Sequence, residues 1–163
     1  MSASVSSRAR AFFQADVVPT VTAWRASPLD LRLAKHAAVS LNQMADYFWH
    51  DFGSTAPQHV LQQTSLGQFR RELGNQFPNF ALIRDVAESH KHVKLSRPDR
   101  VLTSAGQTSV GGLGWGEAEF GAGTYGGSPE VVVELDSGQR RHFSSAVADV
   151  ENMWASLLAR AGV

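Results

Sequence analysis

The sequence predicts an α+β domain: mainly a helical bundle, with a small antiparallel β-meander and a C-terminal helix that packs back. Three observations lead there. Apolar residues recur at three- and four-residue steps through the first hundred positions, a period of two takes over after Arg100, and helical spacing returns from Ser144 onward. The expected division is a helical part over residues 1–98, a meander over 99–143 and a closing helix over 144–163. All three fit one domain, as suits 163 residues that are 43% apolar and 18% charged.

The first helix runs through Val17, Val18, Val21 and Trp24. Pro19 is expected to bend or divide it, because proline lacks a backbone donor and crowds the preceding turn. Ser27-Pro28 reads as an N-cap with proline at the first helical position, opening a helix to about Phe52. Its stripe Leu29, Leu33, Ala37, Leu41, Met44 and Phe48 faces the core. A third segment spans residues 54–77, continuous or broken near Gly67, through Leu61, Leu66, Phe69, Leu73 and Phe77, with Gly74 and Pro78 closing it. A fourth runs from Asn79 to about Leu95, before Pro98.

In the second part VLTSAGQTSV reads as a strand, and PEVVVEL with QRRHF flanks the turn Asp136-Ser137-Gly138. Residues 111–127 hold eight of the fourteen glycines, with Trp115, Phe120 and Tyr125 among them. That stretch is expected to be a mobile loop offering a contact surface. Ser144-Ser145 caps the last helix, whose Val147, Val150, Trp154, Leu157 and Leu158 form one apolar stripe.

Composition excludes several function classes. With no cysteine, disulfide frameworks, thiolate zinc sites and cysteine nucleophiles are ruled out. Fifteen basic and fifteen acidic residues cancel, so no bulk field draws the molecule to nucleic acid or anionic membrane. The balance is uneven along the chain: residues 1–100 carry twelve Lys or Arg against eight Asp or Glu, and residues 101–163 carry three against seven. Such a polar molecule can pair with copies of itself, or simply solvate both faces. No stretch approaches the roughly 18 apolar residues of a membrane-spanning helix. The expected setting is cytoplasmic, with no membrane partner. The opening MSASVSSRARAFF has the Ser and Arg of a transit peptide, but its pattern continues into the first helix.

The densest run of functional side chains is RDVAESHKHVK on the fourth helix. At about 100° per residue, Arg84, Asp85, Glu88, Lys91 and His92 share a polar face, while Leu82, Ile83, Val86, His90 and Val93 lie opposite. This spacing half-buries His90 and turns His92 outward. Glu88 and His92 stand one turn apart, as do Asp46 and His50 on the second helix beside His36 and Gln43. Those two pairs are the candidate ligands for a metal held between helices, or ordinary surface pairs. His50-Asp51 also matches the dipeptide of metal-dependent phosphohydrolases, without the remaining ligands that chemistry needs.

Arg84, followed at once by Asp85 and five positions on from there by His90, resembles the Arg, four to six residues, His signature of HEPN domains. The resemblance implies a helical bundle, metal-independent RNA cleavage in active members and nucleotide or protein binding in others, with no cofactor. It assigns Arg84 to phosphate charge, His90 to proton transfer and Asp85 to orienting one of them, with the cleft formed within one chain or across a homodimer. Cleavage through a 2′-hydroxyl does call for a near-neutral proton shuttle and a fixed cation. Lys91, Lys94, Arg97 and Arg100 make the following segment basic enough to receive phosphates.

GGLGWG and GAGTYGG lack the Gly-Lys-Ser/Thr and following helix of a phosphate-cradling loop, and no Gly-x-Ser-x-Gly elbow occurs. Three functions are therefore expected in turn: a HEPN-like RNA- or nucleotide-interacting module, a non-enzymatic interaction protein using the glycine-rich hairpin, and a helical-bundle metal protein using Asp46, His50, Glu88 and His92.

Overall fold

The computed structural model describes residues 7–112 and 128–163. Helices α1 (Arg8–Phe12) and α2 (Val18–Ala26) are joined by a π-helical stretch, Phe13–Val17. They are followed by α3 (Leu31–Phe52), α4 (Leu66–Gln76) and α5 (Pro78–Lys91), then strands β1 (Thr108–Gly111), β2 (Glu130–Glu134) and β3 (Arg140–His142), and finally α6 (Phe143–Arg160). This is the α+β, mainly helical arrangement that the change of period announces. The strands form one antiparallel sheet in the order β1-β2-β3, with Val132 opposite Ser109 and His142. Trp115, Phe120 and Tyr125 fall outside the described residues.

Helix α3 is the central element, packed against α1, α2, α4, α5 and α6. Ala37, Leu41, Met44 and Phe48 are fully buried along it. The Trp154 indole from α6 reaches the same layer, donating to the Leu41 carbonyl at 2.9 Å and lying against Phe48 and Phe80. One sheet face closes the core with Val131 and Val133. The α6 stripe Val147, Val150, Trp154, Leu157 and Leu158 is buried as its spacing requires.

Several boundaries differ from the sequence expectation, each for a local reason. Helix α3 is capped by Asp30, which accepts from the backbone N–H of Arg32 and Leu33, rather than by Ser27. Leu29 therefore precedes the helix and is 46% exposed. The π-helical stretch sits just before Pro19, where the missing proline N–H removes a regular helical bond. Residues 54–65 make turns instead of helix. Leu61 and Gln62 have φ of 56° and 59°, which a right-handed helix cannot hold. Pro78 opens α5 at its first turn instead of closing the segment before it. The stretch ahead of β1 folds as a 3₁₀ turn, Ala105–Gln107, so only the end of VLTSAGQTSV is strand. His142, not Ser144, stands at the head of α6, and the Ser144 hydroxyl donates to Glu130 instead.

Candidate functional site

The fourth-helix run divides into two environments. Helix α5 is enclosed on almost every side, so Arg84 is 4% exposed and Asp85 fully buried, not part of an outward polar face. A buried charge survives only when paired and hydrogen-bonded, and here the partners arrive from the segment after the helix. Arg84 Nε donates to Asp85 Oδ1 at 2.9 Å, its Nη1 to Asp99 Oδ2 at 3.1 Å and its Nη2 to the Asp99 carbonyl at 2.9 Å. Asp85 Oδ2 accepts the Val101 N–H, and Oδ1 also accepts from Arg97. Arg97 further pairs with Glu88 and Asp99. The cluster fastens residues 97–101 across α5. Burial pushes the Asp99 carboxyl up, but the guanidinium groups of Arg84 and Arg97 outweigh it and leave the group below the ordinary carboxylate value. Every Arg84 nitrogen is thus engaged from within the chain, and a substrate phosphate would have to displace Asp99 to reach it.

The second environment begins one turn later. Helix α5 stops at Lys91, so His92, Val93 and Lys94 leave the helical period, and Lys94 bridges to Ser104. Val93 is 86% exposed, and His90 is exposed rather than half-buried. The structure places His36 of α3 beside His90, with ring centroids 6.3 Å apart and planes at 59°. This contact joins the start of α3 to the end of α5. Beside the two histidines in the chain, Lys91, His92 and Lys94 are exposed and Lys35 is half-buried. Among the described residues none of these four forms an ion pair. Asp30, at the same end of α3 as His36, is occupied in capping that helix. Its carboxyl is held below the usual range by the Leu33 N–H it accepts, with Arg32 and His36 contributing their positive charge.

Of the signature residues, then, Arg84 and Asp85 are brought together, while His90 is presented elsewhere. Its neighbour is His36, which sequence reading could place only on a polar stripe. Pairing between helices depends on register, and one strand of spacing along α3 carries no record of it. Arg97 was legible only as part of a basic run, and no sequence reading singled out Asp99. The alternation Arg97-Pro98-Asp99-Arg100 directly after a helix with adjacent Arg and Asp is the signal that would have found them.

The candidate metal residues do not converge. Asp46 pairs with Arg70 at 2.5 Å, Glu88 with Arg97, and His50 and His92 are exposed. Among the described residues no three His, Asp or Glu side chains stand close enough to hold an ion. Asp51 serves as a cap across the fold: it accepts the Ser7 hydroxyl at 2.7 Å and the Ala9 N–H at 2.9 Å, fixing the start of α1. Among the described residues no helix is long and apolar enough to cross a membrane.

No protein-family model, no curated protein and no solved structure matches this chain.

Proposed function

We propose that the chain is a HEPN-like module that interacts with RNA or nucleotides through the seam between the start of α3 and the end of α5. The observation that carries this reading is the exposed His36 and His90 pair, 6.3 Å apart, with Lys35, Lys91 and Lys94 next to it in the chain and without carboxylate partners among the described residues. Imidazole is the side chain whose ordinary titration lies nearest neutrality, and unpaired lysines attract phosphate oxygens.

In this reading a phosphodiester rests between the two rings. One neutral imidazole takes the proton from a ribose 2′-hydroxyl as its oxygen attacks phosphorus. The other, protonated, delivers its proton to the departing 5′-oxygen, leaving a 2′,3′-cyclic phosphate and a free 5′-hydroxyl. Lys91 and Lys94 offset the charge on the phosphate oxygens. Arg84 and Asp85 act as positioning residues, bracing the segment that follows the site. Both imidazoles come from one chain, so a second copy is not needed to complete the pair.

Fluorescence anisotropy with an end-labelled single-stranded RNA, with the products resolved on a gel, tests the proposal. Binding should weaken as salt rises, and charge reversal at Lys91 and Lys94 should abolish it. Cleavage should be lost in both His36→Ala and His90→Ala while their melting temperatures hold. RNA binding and cleavage that are indifferent to all four positions would refute the reading.

A further inference from the structure

A separate cleft of about 360 Å³ lies between the opposite end of α5 and the second half of α6. Its volume falls in the range of small-molecule sites, and such sites combine an apolar surface with a few placed polar groups. Phe77, Met153 and Leu157 line it as apolar surface, and Arg160 stands at its α6 end. The two charged residues of the cleft are in different states. Asp149 is already engaged, since its Oδ2 accepts from Asn79 Nδ2 at 2.5 Å while Asn79 Oδ1 accepts from Arg141 at 3.0 Å. Arg160 is exposed and has no partner among the described residues. The two stand eleven residues apart on one helix, about 16 Å, so the free cation lies at the far end of the apolar lining from the occupied carboxylate.

We infer that this cleft binds an amphipathic organic anion, a carboxylate with an aliphatic or aromatic body. The body would cover Phe77, Met153 and Leu157, and the carboxylate would meet the Arg160 guanidinium, which suits carboxylate geometry. Charge complementarity selects the occupant: an apolar body alone gains nothing from Arg160, and a cation is repelled by it. This inference is independent of the α3/α5 seam.

Isothermal titration of the intact chain with decanoate, and with decyltrimethylammonium as the cation of equal chain length, tests it. Ser156 and Arg160 are exposed lining positions, so substitutions there leave the core untouched, which unchanged melting would verify. Decanoate should bind and the cation should not. Ser156→Trp should abolish decanoate binding by filling the cleft. Arg160→Glu should weaken decanoate by about tenfold and admit the cation. Failure of decanoate to bind, equal binding of both probes, or decanoate binding that ignores Ser156→Trp would each overturn the inference.

Discussion

Replacing Asp85 by leucine removes the acceptor on which the α5 charge cluster converges. The carboxylate is fully buried and receives Arg84 Nε, Arg97 and the Val101 N–H. After the substitution Arg84, 4% exposed, keeps only Asp99, and the Val101 N–H loses its acceptor. Breaking a buried pair by deleting one partner costs about 3–5 kcal/mol, because the remaining charge stays out of water. At about 2–4 °C per kcal/mol for a chain of this length, the melting temperature should fall by about 6–20 °C. Thermal unfolding followed by circular dichroism measures it. The double variant Arg84→Met with Asp85→Leu should recover much of that loss, since no uncompensated guanidinium remains. A loss below about 1 kcal/mol in Asp85→Leu, the typical upper value for a solvent-exposed pair, would refute the reasoning. So would a double variant that simply adds the two single costs. Arg84→Met that abolishes RNA cleavage with stability unchanged would place the guanidinium on the substrate instead.

Three further outcomes follow from individual contacts. Asp51→Ala leaves the Ser7 cap of α1 but removes the acceptor of the Ser7 hydroxyl and the Ala9 N–H, which should cost about 1 kcal/mol, with faster hydrogen exchange confined to the first helical turns. Trp154→Phe removes the indole donor to Leu41 and leaves space beside Phe48 and Phe80, so urea unfolding should show a loss of about 1–3 kcal/mol. In acid, Asp99 and Asp136 contribute to the response, together with the capping Asp30. Asp136 is held low by the hydrogen bonds it accepts from Gln107 and Thr103, and Asp99 by Arg84 and Arg97 against the opposing effect of burial. Because both folded values lie below the ordinary 3.8, their stabilisation is complete above that value and drains as pH falls through the depressed ones. Stability should be flat down to about pH 5 and decline below about pH 4, less steeply in Asp99→Asn.

The sequence carried the fold class because each layer announces itself by period. The α6 stripe is buried as spaced, and Asp136-Ser137-Gly138 turns β2 into β3 with Gly138 at φ 83°. Faces and ends were harder. Spacing on α5 groups Arg84 with Lys91, yet Arg84 is buried, because a charged side chain can be covered when later residues such as Asp99 arrive to pair with it. It groups His90 with Val86, yet the helix ends at Lys91 and the covering neighbours end with it. Asp30 outcompetes Ser27 as a cap, since its carboxylate accepts two N–H groups at once. The meeting of His36 and His90 is a tertiary fact, written in the packing of α3 on α5 rather than in either helix alone.

The most direct test of the α3/α5 seam is an NMR titration of the histidine ring C–H resonances with a single-stranded oligonucleotide that carries 2′-deoxyribose and so cannot be cleaved. The His36 and His90 signals should shift together along one saturation curve, while His50, half-buried His59 and buried His142 stay in place. Stationary His36 and His90 signals at saturating oligonucleotide would contradict the account.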